Sequence, residues 1–319
     1  MSDKFAVVFP GQGCQFVGMG ADLQAFPLAR EMYRRADEVL GFELSRLCFE
    51  GPEEALNDTA NTQPAVYVTS MVLWALLEPQ IEPLRSRIAC VAGHSLGEFS
   101  ALTMAGAITF EEGVRLVRRR GEAMRDAGRA SPGGMAAIIG LDDAVVEEIV
   151  AQVAADGGDV WVANYNSPGQ IIIAGAQAAL AQAMEMAKER GAKRALPLQV
   201  SVACHTPLMS AASERLAVAL EETTFRQPWV PVVSNALAEP LSTPAEIKAA
   251  LLRQLNSPVL WTASVQRMAR DGVGTALEIG PKSVVAGLIK RIERNMIVQA
   301  VTDKASLEAF DATILELGA

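Results

Sequence analysis

The feature that most constrains the fold is a serine flanked by two glycines, Gly93-His94-Ser95-Leu96-Gly97. An apolar run, Arg87 to Gly93, predicts a buried strand before it, and Gly97 to Met104 predicts a helix after it. A serine at so tight a turn has a strained backbone, and side chains two positions to either side would collide. The pattern therefore predicts a nucleophile elbow, with the positive end of a helix dipole beside Ser95.

Apolar strands alternate with helices along most of the chain, which indicates a largely parallel sheet covered on both faces. Residues 128–200 differ, because their order β-α-β-β-α-β is typical of a ferredoxin-like unit. We therefore predict an α/β protein in which residues 1–127 and 201–319 form a large domain and residues 128–200 form a small inserted one. The predicted strands include Arg194–Val200, the last of the small unit, and Val230–Ser234 in the large domain. The last predicted helix runs from Ser306 to Leu317.

Composition excludes several classes of protein. The four cysteines are scattered without a Cys-x-x-Cys pair and there are only two histidines, so neither a disulfide framework nor a metal site is expected. A net charge of −9 argues against nucleic acid as a partner. The short polar N-terminus and the lack of an uninterrupted apolar run of spanning length predict a cytoplasmic protein that is not bound to a membrane.

A nucleophilic serine needs a base, and the two histidines are His94 and His205. Adjacent side chains on a sharp turn diverge, so His94 is better placed to bond other groups than to take the Ser95 proton. That leaves His205, in a loop between the last strand of the small unit and the next helix, as the expected general base. No acidic residue stands out as the third member of a triad.

The helix predicted from Glu111 to Arg125 contains three consecutive arginines. On a helical wheel Arg120 falls at the edge of the apolar stripe, whereas Arg118 and Arg119 fall on the opposite side. A semi-buried guanidinium requires a partner, which is either a structural carboxylate or the carboxylate of a substrate. The pattern alone leaves these two alternatives open.

A glycine-rich turn, Pro10-Gly11-Gln12-Gly13, follows the first predicted strand, Lys4–Phe9. Parallel α/β sheets bind ligands at the carboxyl ends of their strands, so backbone N–H groups of this turn are candidate donors to an oxyanion. The N–H of Leu96, directly after the nucleophile, is the expected second donor. The spacing of the glycines does not match a dinucleotide-binding fingerprint.

Taken together, several segments resemble the malonyl-CoA:acyl-carrier-protein transacylase family of fatty acid and polyketide synthesis, over nearly the whole chain. In chain order they are FPGQG (9–13), TQPA (62–65), GHSLGEFSAL (93–102), RG (120–121), NSPGQIIIAG (166–175), RALPLQVSVACHTPLM (194–209), RQL (253–255) and EIGP (278–281).

The resemblance implies a fold and an activity. The fold is an α/β-hydrolase-like core with a ferredoxin-like insert, and the activity is malonyl transfer from malonyl-CoA to the phosphopantetheine thiol of acyl carrier protein. No cofactor takes part, because phosphopantetheine belongs to the carrier protein. We expect a monomer. An acidic carrier protein favours basic residues near the cleft; the candidates are Lys188, Arg190, Lys193, Arg194, Lys282, Lys290 and Arg291.

The resemblance also implies roles by position. Ser95 is the nucleophile, His205 the base and Arg120 the binder of the malonyl carboxylate. Gln12 and Leu96 supply the oxyanion N–H groups. Gln254 orients His205 through its backbone carbonyl in place of an acid, and Gln63 and His94 are supporting residues.

With Leu96 directly after the nucleophile, the chain resembles the family members that select malonyl over methylmalonyl groups. Departures from the family pattern are Cys14, Cys204 and the pair Lys282-Ser283. Two other classes share some of these features: a serine esterase or thioesterase, which would release free acid without a carrier protein, and a non-catalytic acyl-binding subunit, which is expected to have lost Ser95 or His205.

Overall fold

The computed structural model describes residues 4–200 and 202–316. In chain order the strands are β1 (Lys4–Phe9), β2 (Ile88–Gly93), β3 (Gly133–Ile139), β4 (Val160–Ser167), β5 (Gln170–Ala176), β6 (Arg194–Pro197), β7 (Val232–Val233), β8 (Pro240–Leu241), β9 (Val273–Ile279) and β10 (Ile297–Val301). The α-helices are α1 (Pro27–Leu40), α2 (Leu44–Glu50), α3 (Glu53–Asn57), α4 (Thr59–Ile81), α5 (Gly97–Met104), α6 (Phe110–Ala130), α7 (Asp143–Ala155), α8 (Gln177–Glu189), α9 (Ser210–Glu221), α10 (Pro244–Gln254), α11 (Trp261–Arg270), α12 (Val285–Ile292) and α13 (Lys304–Glu308).

The larger sheet has six strands in the order β10-β9-β1-β2-β7-β8. Every neighbouring pair is parallel except β7 with β8, so the predicted mixed α/β fold with a largely parallel sheet is confirmed. Strand β1 lies centrally and alternates its side chains between two cores. Phe5, Val7 and Phe9 pack into the core that contains α4 and α6, whereas Ala6 and Val8 face α11 and α12. Both faces of the sheet are therefore buried.

The second sheet has four strands in the order β4-β5-β3-β6, and every pair in it is antiparallel. Its elements follow one another as β3-α7-β4-β5-α8-β6, and helices α7 and α8 share its own apolar core. Strand β4 also reaches the rest of the molecule, because Val259 N–H donates to Ala163 O at 2.9 Å and Tyr165 N–H donates to Val259 O at 2.9 Å. The small sheet is thus tied to the segment that precedes α11.

Some element bounds differ from the predictions. Helix α6 begins one residue before the expected Glu111 and continues to Ala130, past the boundary expected at residue 127. The predicted strand Arg194–Val200 ends at Pro197. The predicted end of the last helix, Leu317, lies outside the described residues; within them, α13 is followed by a separate 3₁₀ turn, Ala312–Glu316. None of the described helices combines the length and the apolar character needed to cross a bilayer.

Candidate active site

Ser95 occupies the turn between β2 and α5, with the positive φ of 52° that the elbow requires. The flanking glycines are needed for space. A Cβ on Gly93 would lie 1.9 Å from the Gly97 carbonyl carbon, and a Cβ on Gly97 would lie 2.3 Å from Phe9 O. Backbone fills both positions and cannot move aside. The predicted elbow is therefore present, at the carboxyl end of a strand next to central β1.

His205 meets Ser95 across 110 residues of chain: its Nε2 lies 2.8 Å from Ser95 Oγ. Its other ring nitrogen, Nδ1, lies 2.8 Å from the backbone carbonyl oxygen of Gln254. Because a carbonyl only accepts, Nδ1 carries the proton, and Nε2 is left to accept from the Ser95 hydroxyl. This is the tautomer that a general base needs, and a carbonyl at the end of α10 occupies the place of a triad acid.

Burial and a neighbouring charge keep His205 neutral. The side chain is 3% exposed, and desolvation together with the Arg120 guanidinium lowers its pKa to about 3. Both effects act in the same direction, since each disfavours a second positive charge.

Arg120 is fully buried, whereas the helical wheel predicted a semi-buried side chain. Its Nη2 donates to Ser95 Oγ at 3.1 Å and to Gln254 Oε1 at 2.9 Å, and its Nη1 donates to Gln63 Oε1 at 2.7 Å. The Nε–H, equally buried, has no acceptor among the described residues. Burial lowers the Arg120 pKa to about 10, so the group stays charged at neutral pH.

None of those hydrogen-bond partners is a carboxylate, and none of the ion pairs formed by the described residues includes Arg120. A cation without a direct counterion, in hydrogen-bond contact with the serine, is an unusual arrangement because buried charges are normally paired. Of the two alternatives that the sequence left open, a structural carboxylate against Arg120 is thus not found among the described residues.

The turn at residues 10–13 packs directly on the elbow. A Cβ on Gly11 would lie 2.4 Å from His94 O, so only glycine permits this approach. Within the described residues, the backbone N–H groups of Gln12 and Leu96 donate to no acceptor. Leu96 also stands at the N-terminus of α5, where the helix dipole favours negative charge. Neither N–H group is therefore engaged by the described residues, and both belong to the two segments that pack together at the elbow.

His94 points away from the Ser95 proton, as predicted from the turn. Its Nε2 lies 2.8 Å from Asn166 Oδ1 on β4, and its ring packs edge-on against Trp261. His94 therefore links the elbow to the small sheet.

Comparison with known proteins agrees with this arrangement. The model of the acyl transferase domain family matches residues 6–309. The chain belongs to this family. A relative from Haemophilus influenzae, named malonyl CoA-acyl carrier protein transacylase, is 44% identical over 97% of this chain and 98% of its own length. One of the same name from Bacillus subtilis is 43% identical over 98% of each chain. The predicted family resemblance is confirmed.

The folds of solved structures are similar to that of this acyltransferase. An acyl carrier protein S-malonyltransferase from Vibrio cholerae is 45% identical, has a TM-score of 0.90 and is aligned over 96% of this chain and 99% of its own. A malonyl-transacylase solved in complex with its type II polyketide-synthase acyl-carrier protein is 44% identical, also with a TM-score of 0.90, over 98% of this chain and 99% of its own.

The departures from the family pattern are accommodated locally in this acyltransferase. The Cys14 thiol donates to Gly11 O at 3.1 Å and so braces the turn beside the elbow. Ser283 donates to the carboxylate of Glu278 at 2.8 Å, in front of α12. Cys204 is buried directly before His205, with a pKa raised to about 11 by burial, so its thiol stays protonated at neutral pH.

Sequence reasoning missed Asn235, which braces the elbow from the loop after β7. Its Oδ1 accepts from Ser95 N–H at 2.5 Å, and its Nδ2 donates to Gly93 O at 2.6 Å. The Asn235 amide thus forms hydrogen bonds with the backbone at two positions of the strained turn, a carbonyl before Ser95 and the N–H of Ser95 itself. An available signal was its position directly after the predicted strand Val230–Ser234, whose end lies at the same sheet edge as Ser95.

Glu98 was also missed as a separate site residue. It lies in the first turn of α5, is 2% exposed and has a pKa raised to about 7 by burial. Its Oε2 accepts from Gln254 Nε2 at 2.7 Å and from Asn235 N–H at 3.3 Å. The only signal in the sequence was its place inside the segment GHSLGEFSAL.

The glycines of the elbow give a stability prediction. We expect Gly93→Ala to destabilise the fold by about 3–5 kcal/mol, at the upper end for single substitutions, because its Cβ would overlap backbone. Gly287→Ala is the matched control: nothing lies within 4 Å of its added Cβ in helix α12, so we expect a gain of about 0.5–1 kcal/mol. Urea unfolding measures both, and equal effects would contradict the steric argument.

Proposed function

We propose that the protein transfers a malonyl group from malonyl-CoA to the phosphopantetheine thiol of an acyl carrier protein, through a malonyl-Ser95 intermediate. The observation that carries this proposal is Arg120: a buried cation with an unsatisfied N–H, in contact with the serine hydroxyl and without a carboxylate partner among the described residues. A substrate carboxylate supplies the missing counterion. The names of the relatives support the same substrate.

The chemistry follows from the two hydrogen bonds of His205. As Ser95 Oγ attacks the thioester carbonyl, Nε2 takes its proton and the Gln254 carbonyl holds the ring in place. The oxyanion accepts from the N–H groups of Gln12 and Leu96. The carbon–sulfur bond then breaks, and His205 returns the proton to the departing CoA thiolate. The carrier thiol next attacks malonyl-Ser95 by the same steps in reverse.

The other side chains position these groups. Gln63 and Gln254 hold the guanidinium of Arg120 by their amide oxygens, so its direction is fixed before substrate binds. His94 and Asn166 connect the elbow to the small sheet. A hydrolase of neutral esters has no use for a buried cation at its nucleophile, which favours the transferase over the esterase alternative.

The finer description of the fold belongs to the same proposal. We assign residues 1–127 and 201–319 to an α/β-hydrolase-like core and residues 128–200 to a ferredoxin-like insert. Two observations support this: the nucleophile follows a strand of the parallel sheet, and the antiparallel order β4-β5-β3-β6 is that of a β-α-β-β-α-β unit. A monomer that acts in the cytoplasm and needs no cofactor remains the expectation.

The carrier protein is expected to meet exposed basic residues beside the cleft. The candidates on the small domain and on α12 are exposed, although Lys188 is paired with Glu185 and Arg190 with Glu148. The other five candidates form no ion pair with the described residues, although Arg291 donates a hydrogen bond to the Gln170 side chain: Lys193, Arg194, Lys282, Lys290 and Arg291. A structural relative in complex with its acyl-carrier protein supports this class of partner.

Intact-mass measurement tests the proposal directly. Malonyl-CoA alone should add one malonyl group to the enzyme. Subsequent addition of a phosphopantetheinylated carrier protein should remove it from the enzyme and add it to the carrier. Release of free malonate at the same rate with and without carrier would instead identify a hydrolase.

The depressed pKa of His205 predicts an unusual pH dependence. For acylation of Ser95 by malonyl-CoA, kcat/KM reports the free enzyme, in which the base stays neutral down to about pH 3. We therefore expect this constant, measured by rapid quench, to stay flat from about pH 8 to about pH 5. A decline centred near the ordinary histidine value of 6.5 would contradict the assignment.

Stability must be followed in the same experiment. Below pH 6.5 the unfolded chain takes up a proton at this position, while the folded chain does not until about pH 3. The contribution of His205 to stability is therefore lost as the pH falls through that window, whereas Glu98, whose pKa is raised to about 7, contributes with the opposite sign. Circular dichroism at each pH separates unfolding from titration of the base.

A further inference from the structure

Glu98 forms a buried connection between the elbow and helix α10 that the mechanism above does not use. Glu98 follows Ser95 by three residues, yet the carboxylate forms no hydrogen bond with Ser95 Oγ or with His205. It accepts instead from the Gln254 side-chain amide, at 2.7 Å, and from the backbone of Asn235. A buried carboxylate is costly unless its hydrogen bonds serve the structure or the site.

The Gln254 amide lies between the Glu98 carboxyl group, which is ionised above its pKa of about 7, and the Arg120 cation. Its Nε2 faces the Glu98 carboxylate and also donates to Ser95 O at 3.0 Å, whereas its Oε1 accepts from Arg120 Nη2 at 2.9 Å. Turning the amide over would set an NH₂ group against the guanidinium and an oxygen against the carboxylate. Since both contacts would then be repulsive, the carboxylate determines which end of the amide faces Arg120.

The Gln254 amide, a neutral group between Glu98 and Arg120, leaves the charge of Arg120 uncompensated. A carboxylate bonded directly to Arg120 would neutralise it and occupy its N–H groups. With the amide in between, Arg120 is oriented while its Nε–H stays without an acceptor among the described residues. The amides thus fix the orientation of the guanidinium, while its charge and its Nε–H remain available to another carboxylate.

We propose that Glu98 is a positioning residue for substrate recognition: it holds the Gln254 amide so that its oxygen directs Arg120 toward the malonyl carboxylate. This inference rests on the proposed function, because it assumes that Arg120 receives that carboxylate. Glu98 acts through Gln254 and touches no reacting atom. Its effect should therefore appear in selectivity for malonyl over acetyl groups more than in acylation generally.

The test compares kcat/KM for acylation of Ser95 by malonyl-CoA and by acetyl-CoA in variants of residue 98, at about pH 8, where Glu98 is ionised. In Glu98→Leu the amide loses its acceptor, and the malonyl-to-acetyl ratio should fall about tenfold to a hundredfold, the usual effect of one unpaired buried polar group. In Glu98→Gln an amide oxygen still accepts from Gln254, so the ratio should stay within about threefold of wild type. Ser100→Ala, which removes another buried hydroxyl from α5, is the control.

A double-mutant cycle shows whether Glu98 acts through Gln254. In a Gln254→Leu background, which keeps the backbone carbonyl for His205, Glu98→Leu should change the ratio no further. If Glu98→Leu does not fold, Glu98→Asp replaces it: the shortened carboxylate keeps the charge but draws back from Nε2, and the ratio should again fall.

The outcomes separate this inference from the proposed function. If malonyl-CoA adds no malonyl group to the wild-type enzyme, the proposed function itself is contradicted. If the wild type is labelled, the inference alone is overturned by an unchanged ratio in Glu98→Leu or Glu98→Asp. It is also overturned by equal losses in Glu98→Gln and Glu98→Leu, or by a full Glu98→Leu effect in the Gln254→Leu background.

Discussion

Ser95→Ala is expected to abolish covalent malonyl labelling and to lower carrier-protein malonylation by about a million-fold, the scale seen when a serine nucleophile is removed from a catalytic unit. The physical reason is that, within residues 4–200 and 202–316, the structure shows no other nucleophile placed to replace it. Cys204 directly precedes His205, but burial raises the pKa of its thiol to about 11, so the thiol stays protonated at neutral pH. Intact-mass spectrometry after incubation with malonyl-CoA gives the result directly.

The Ser95→Ala protein should fold and still bind malonyl-CoA, because Arg120 keeps its bonds to Gln63 and Gln254. Calorimetric binding of malonyl-CoA is the control for an intact site. A malonyl group that appears on a different residue, or transfer that continues at a measurable fraction of the wild-type rate, would remove the nucleophile assignment.

Arg120→Ala is expected to reverse the acyl preference. Loss of one partner of a buried, hydrogen-bonded charge pair costs about 2–5 kcal/mol, so kcat/KM for malonyl-CoA should fall by about thirtyfold to a few thousandfold. Acetyl-CoA carries no carboxylate to pair with Arg120, so its transfer should be little changed or improved. Parallel assays with both acyl-CoA substrates measure the ratio.

The neighbouring residue is the matched control. Arg119 lies on the same helix but is exposed and paired with Glu222, so Arg119→Ala should leave the malonyl-to-acetyl ratio unchanged. Full malonyl preference in Arg120→Ala would eliminate the carboxylate-binding role. An equal fall in transfer of both acyl groups would point to a purely structural role for the arginine.

Local sequence was sufficient wherever the constraint is local. The elbow could be predicted because two glycines, a preceding apolar strand and a following helix lie within a few residues of Ser95. The strands of both sheets other than β8, and the order of elements between residues 128 and 200, were predicted for the same reason. The family resemblance, which depends on motifs spread along the chain, is confirmed over residues 6–309.

Helices α1 to α4 were not predicted, and α4 shows why. It runs for 23 residues with buried side chains on every side and with Pro64 and Pro79 inside it. A helix that is apolar all round carries no 3.6-residue periodicity, and prolines within a pattern usually indicate an end. Only its packing against the sheet and α6 makes it a helix.

The sequence by itself determined the strained serine, the α/β alternation and the family. Only the tertiary structure decided what surrounds that serine: the 2.8 Å contact with His205, the complete burial of Arg120 and the amides of Asn235 and Gln254. The physical reason is that backbone sterics and side-chain periodicity act over a few residues. The partner of a buried polar group is chosen by packing between segments a hundred or more residues apart, which no local pattern records.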